Sequence, residues 1–298
     1  MQIILKQLFI LYVFLLVGWL IGKLKKDKAS HADILSVLLV NVFLPCKVFN
    51  TFSKNVTVSY LLEKYTLVIS SLILLIIMAT LSFPVARLLT KNKYEKKVYA
   101  YSFTIGNYGY LGYALIDYVF GESVLTEFML FVIPFVLYTY TVGYMMLTGT
   151  DLSLKRLLTP TTVAIVLGIA AGLTGIPIPE IISTTTAAAS ACVGPLSMLL
   201  TGITLSTFAL KALVSNKKAY IVSFIRLIAL PTVAYFVCKG LRLDNVLPMV
   251  LMVACMPCGL NTVVFPKLVG EDCTIGARLA LITHLLSIIT LPLWLSLI

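Results

Sequence analysis

Charge is what this sequence has little of. Asp and Glu number 12 against 23 Lys and Arg, and charged residues make up only 12% of the 298 positions. A soluble domain usually carries about a quarter charged residues, so a soluble fold is excluded. Histidine is scarcer still. His31 and His284 are the only two, too few for a convincing metal cluster. No HExxH, GxSxG or P-loop pattern occurs, which removes the enzyme classes those motifs carry. The six cysteines lie almost entirely inside apolar segments, so a disulfide framework is not expected. Cys255-Met-Pro-Cys258 has the spacing of a redox motif but not its strand-to-helix setting, and is read as packing. The net charge of +11 does not signal nucleic acid, because the basic residues cluster in short loops between apolar runs.

What is present is apolar sequence, at 60% of the chain, in runs of about 20 residues that match the thickness of a bilayer. The partner is therefore the lipid bilayer, and the fold class is an all-α polytopic membrane protein. Ten spans are expected, near 3–22, 32–52, 65–88, 97–120, 125–147, 158–176, 182–210, 218–238, 246–269 and 275–297. The N-terminal run is followed, not preceded, by its positive cluster (Lys23, Lys25, Lys26, Lys28), so it reads as a retained helix and not a signal peptide. Odd-numbered loops hold sixteen of the 23 basic residues. The positive-inside rule then makes those loops cytoplasmic and puts both termini outside the cell membrane.

The chain matches itself at an offset of 149–150 residues. Gly18 and Gly22 recur as Gly168 and Gly172, Pro45 as Pro195, and Gly121-Glu122 as Gly270-Glu271. This divides the chain into residues 1–150 and 151–298. Five spans per unit is odd, so the second unit enters the membrane from the opposite face: a 5+5 inverted-topology repeat, common among secondary transporters.

Two spans carry helix breakers at matching mid-span places. TIGNYGYLGYAL (104–115) holds Gly106, Asn107, Gly109 and Gly112; its counterpart holds Pro257, Gly259, Asn261 and Thr262. A break frees backbone groups that cannot face lipid. The half-helices that follow, from near Gly112 and Asn261, aim their positive ends inward and favour an anion. Asn107 and Asn261 add amide donors and acceptors. Tyr108, Tyr110 and Tyr113 line the same stretch, either as pocket wall or as packing with a hydroxyl tether. Close helix packing by the glycines is the competing reading. Ionisable residues at depth are further candidates. Arg226 either contacts a substrate anion or has a structural role, paired with a carboxylate or carbonyls near the inner interface or snorkelling. Lys47, Asp117 and His284 are coupling candidates, each with a structural alternative: snorkelling, an interfacial position, or a bond to a neighbouring helix. Thr104 and Thr262 are possible oxygen ligands for sodium.

The motifs have a family resemblance. GNYGYLGYALIDYVFGE resembles the GNxGFLGxP…FG signature of the auxin efflux carrier family. NVFLPCKVF, CVGPLSMLLTGITLS and MPCGLNTVVFPKLVGED with THLLSIITLPLWL resemble its second, seventh, ninth and tenth helices, in the same order. The resemblance implies ten helices with helices 4 and 9 broken and crossing at a central site, with Asn107 and Asn261 at the crossover. It implies small organic anions as substrates, auxin-like or malonate-like carboxylates, and is compatible with a homodimer. Tyr113 stands where the family often has proline, so the first break rests on glycine. The expected function is a secondary transporter of a small organic anion by alternating access, with no cofactor and with coupling to H+ or Na+ left open. The alternatives are a sodium-coupled carrier like the bile-acid symporters, an uncoupled anion channel, and a sensor that binds without transport.

Overall fold

The computed structural model describes residues 1–24 and 28–298, with side chains from residue 32 onward after that gap. Lys25, Lys26 and the side chains of Lys28 and His31, which carry part of the first loop's expected charge, lie outside the described residues. Among the described residues the chain is helical; the one β feature is an isolated antiparallel bridge between Gly106 and Cys258.

The helices follow in the order α1 (Gln2–Leu24), α2 (Ala32–Asn55), α3 (Val58–Leu89), α4 (Lys93–Thr104), α5 (Tyr108–Phe131), α6 (Ile133–Thr148), α7 (Pro160–Thr174) and α8 (Glu180–Ser206). The chain continues with α9 (Lys217–Gly240), α10 (Leu247–Ala254), α11 (Asn261–Leu268) and α12 (Thr274–Leu295). Six of them, α1, α2, α3, α8, α9 and α12, are long and apolar enough to cross a membrane unbroken; α5 with α6, bent by 47°, makes a seventh. The chain is thus a multi-pass membrane protein. The three other segments expected to span are interrupted or short. The segment at 97–120 is cut between α4 and α5, and that at 246–269 between α10 and α11. The 15-residue α7 rises only about 22 Å, less than a hydrocarbon core of about 30 Å.

Local chemistry explains most boundaries. Thr57, Asn92, Thr159 and Asn216 each accept a backbone N–H at a helix start, as N-caps do. Gly121 takes a left-handed φ of 87° inside α5 and splits it in two, and Gly270 takes 75° after α11. These two glycines are one matched pair of the repeat. The π turns Leu39–Phe43 and Ile225–Ala229 precede Pro45 and Pro231, where the wider winding accommodates a missing N–H.

The helices pack in two groups. The first is α1, α2, α7 and α8. Lipid offers no hydrophobic drive between helices, so close approach of small residues holds them. Gly18 of α1 lies on the Leu199 backbone of α8, and Gly22 lies on Ser206. Gly168 of α7 lies on Phe49 of α2, and Gly172 lies on Val56. Adding 150 to one partner and subtracting 150 from the other turns the first two contacts into 168 with 49 and 172 with 56. The two interfaces are the same contact made twice. The second group gathers α3 to α6 and α9 to α12 around the two breaks.

Candidate functional site

The first break begins where α4 ends at Thr104. Ile105 is extended (φ −110°, ψ 121°) and Asn107 sits at φ −83°, ψ 53°. Between them, Gly106 has no room for a Cβ, because the Arg226 guanidinium occupies that place. The break therefore lies a turn earlier than the Gly109–Gly112 cluster; those glycines fall in a π turn, closed by Gly112 N–H to the Asn107 carbonyl at 3.0 Å. The second break runs from Cys255 to Leu260, and α11 starts at Asn261. The breaks lie against each other. Asn107 N–H donates to the Pro257 carbonyl at 2.7 Å, beside the Gly106–Cys258 bridge. Cys258 N–H donates to Thr283 Oγ1 of α12 at 3.0 Å. Each break so satisfies part of the other's freed backbone, as an apolar interior demands.

Arg226 joins them. It is fully buried. Its Nη1 donates to the Phe103 carbonyl (2.8 Å), Nη2 to Val253 (3.1 Å) and Nε to Met256 (3.0 Å). Phe103 and Val253 are in the last turns of α4 and α10, so one cation meets the negative ends of both half-helices. The π turn that contains Arg226 sets the side chain at the breaks. Of the placements expected for Arg226, these bonds are to carbonyls.

The two asparagines have different partners. Asn107 Nδ2 lies 2.9 Å from His284 Nε2, while His284 Nδ1 lies 2.7 Å from the Ala280 carbonyl. A carbonyl only accepts, so Nδ1 carries the hydrogen and Nε2 of the neutral ring accepts from Asn107. Asn261 Nδ2 donates to the Tyr101 hydroxyl at 3.2 Å. Beside them a cavity of about 50 Å³ is lined by Gly106, Asn107, Tyr108, Gly109, Tyr110, Tyr113, Gly259 and Asn261 among the expected residues. Leu44 of α2, Thr139 and Tyr140 of α6, and Thr161 of α7 close it, so both helix groups contribute wall. The Thr161 hydroxyl is buried without a hydrogen-bond partner among the described residues. Tyr108 donates to Thr139 Oγ1 at 3.1 Å, because that oxygen's own hydrogen goes to Phe135.

Gly112, Pro257, Thr262 and Arg226 adjoin this cavity through backbone and packing without lining it. Lys47, Asp117 and His284 are also off its wall. Lys47 is buried in α2 and paired with the half-exposed Asp117 of α5 at 2.8 Å. Thr104 and Thr262 turn their hydroxyls to the Ala100 and Gly259 carbonyls. Tyr101, Thr139, Tyr140 and Thr161 were not expected. Their only sequence signal is polar tips in apolar helices, which core residues share.

Two overlapping stretches, residues 3–153 and 147–295, match the family described as membrane transport protein. An uncharacterised transporter of Methanocaldococcus jannaschii is 28% identical over 300 residues, covering 96% of each chain. The paired matches span nearly the whole chain, and with them the motifs of the broken segments: the chain belongs to this membrane transport protein family, the auxin efflux carrier family.

Proposed function

We propose that this transport protein is a secondary carrier of a small organic anion, which binds where the two broken segments meet. The observation that carries the reading is that meeting. Two interrupted segments, each with an asparagine and a half-helix N-terminus, share one cavity. Half-helix N-termini at mid-membrane favour a carboxylate. The broken segments and the short α7 are counted here as spans, giving ten helices in two five-helix units, 1–150 and 151–298. The duplicated glycine contacts of α1 on α8 and α7 on α2 support a two-fold relation between the units. Odd spans per unit make that relation an inversion across the membrane, with both termini outside and the basic odd loops in the cytoplasm. Alternating access then follows as rocking of the group α1, α2, α7, α8 against the group holding the breaks.

Size narrows the substrate. A cavity of about 50 Å³ holds roughly four water-sized centres at 10–15 Å³ each. This favours a compact, malonate-like acid; an indole-sized one requires the tyrosine wall to move. The test is uptake of labelled small carboxylates into proteoliposomes under an imposed pH, sodium or voltage gradient. Saturable uptake that Asn107→Ala with Asn261→Ala abolishes is the expected result. Uptake untouched by that double variant would place the substrate elsewhere, and ohmic currents far above carrier rates would make the protein a channel.

A further inference from the structure

We propose that His284 is the proton-binding site of this carrier, and that Asn107 converts its proton into anion affinity, so that the carboxylate and H+ are carried together. The inference rests on the anion-carrier reading above. It begins from a shortage of cations: the cavity wall is made of Asn, Gly, Tyr, Thr, Leu and Val side chains, with no basic residue. Arg226 gives its donors to three carbonyls behind the breaks, and Lys47 is paired with Asp117.

The Asn107–His284 pair can fill that gap. His284 is buried, and its Nδ1 is held as a donor by the Ala280 carbonyl. With a neutral ring, Nε2 is an acceptor. It takes one Asn107 N–H, and the amide oxygen, which has no hydrogen-bond partner among the described residues, is left for the cavity. A carboxylate meeting that oxygen is repelled. When a proton from solvent binds Nε2, that nitrogen becomes a donor. The Asn107 amide must then turn its oxygen to the ring, which frees both of its N–H hydrogens for the cavity. One proton thus adds a positive charge next to the site and exchanges an acceptor for donors on its wall.

The surroundings set the direction of the linkage. Tyr12 of α1 is the ionisable side chain bonded beside His284, its hydroxyl 2.6 Å from both the His284 carbonyl and Ser287 Oγ; the elements packed on α12 also carry Tyr101 of α4, Cys255 and Cys258 of the second break, Arg226 of α9 and Lys267 of α11, and α12 itself carries Arg278. Arg278 is turned to the Ala212 carbonyl and Lys267 to Asp33. The carboxylate of α4, Glu95, is at that helix's far end with Thr90 and Lys218. Among the described residues no carboxylate bonds the ring. An empty site therefore holds His284 neutral, and a bound anion supplies the missing countercharge. By reciprocity the proton strengthens the anion as much as the anion strengthens the proton. A monocarboxylate carried with this proton adds no net charge to the buried site, which avoids the cost of moving a bare ion through it.

The test is calorimetric titration of purified protein with malonate and with propionate, above about pH 7 where both acids are ionised in water, in phosphate and in Tris. The expected result is net proton uptake on binding, read from the buffer dependence of the heat and growing as the pH is lowered toward 7, with an affinity that falls as the pH rises. His284→Gln, which keeps an amide partner for Asn107 but binds no proton, should bind with an affinity that no longer changes with pH. Binding by the wild-type protein without proton uptake overturns this inference and leaves the anion-carrier reading standing; that measurement does not depend on the variant folding. Proton uptake that persists in His284→Gln assigns the proton to another group and also overturns it. Binding of neither acid at any pH overturns both readings.

Discussion

The two breaks occupy corresponding places in the chain but are built differently. The first is short, from Ile105 to Asn107, and runs into a π turn. The second is longer, from Cys255 to Leu260, and contains a proline. Their asparagines are not equivalent either. At an offset of 150, Asn107 falls on Pro257, four residues before Asn261. Asn107 precedes its half-helix and leans on an imidazole; Asn261 opens its half-helix and leans on a phenol. An imidazole changes charge near neutral pH and a phenol does not. On the proton linkage proposed above, the Asn107 side of the cavity answers to protonation and the Asn261 side does not.

The largest effect should come from removing what the breaks share. Arg226→Leu strips donors from three buried carbonyls at about 1–3 kcal/mol each. It should abolish the folded protein or collapse its Tm in detergent, with Arg226→Lys recovering only part. Next come the duplicated interfaces. Gly22→Val and Gly172→Val overpack equivalent contacts and should each cost roughly 1–3 kcal/mol. Similar Tm losses support the two-fold relation of the units, whereas a large loss in only one breaks it. The asparagines test the comparison itself. Asn261→Ala should weaken anion binding by about tenfold or more at every pH, by loss of a hydrogen-bonding group. Asn107→Ala should weaken it most at low pH and flatten the pH profile; equal profiles in isothermal titration would erase the distinction. Tyr101→Phe, which frees Asn261 without touching Asn107, should change affinity by no more than about 1 kcal/mol. The smallest effect is expected at Lys47 and Asp117. A double-mutant cycle there should give a coupling below about 1 kcal/mol, since one partner is open to solvent.

Glycine and proline made the breaks legible in the sequence, because those residues act on the backbone within a turn of themselves. The exact cut was less legible. Ile105 and Gly106 are extended because a second segment and Arg226 lie against them, and no local pattern announces a partner 150 residues away. Arg226 stood out as a buried charge, but its partners are carbonyls, which every residue has. The lining added by α6 and α7 was hidden for a related reason: Thr139, Tyr140 and Thr161 look like any polar-tipped residue in an apolar helix. Ten spans were expected from apolar length, while among the described residues six unbroken helices are long and apolar enough to cross a membrane. The difference is made by the two breaks, the 47° bend between α5 and α6, and the short α7.

The bond from Asn107 N–H to the Pro257 carbonyl has one more consequence. Positions 107 and 257 exchange with each other under the offset, so this bond lies on the axis that would relate the two units. A symmetric junction would offer the reverse bond equally well. Proline has no N–H to give, so the reverse bond cannot form. If the carrier faces the two sides of the membrane by having its halves trade conformations, the trade is uneven at its pivot. The two facing states then differ in energy even with no substrate and no gradient, and the carrier has a built-in resting side.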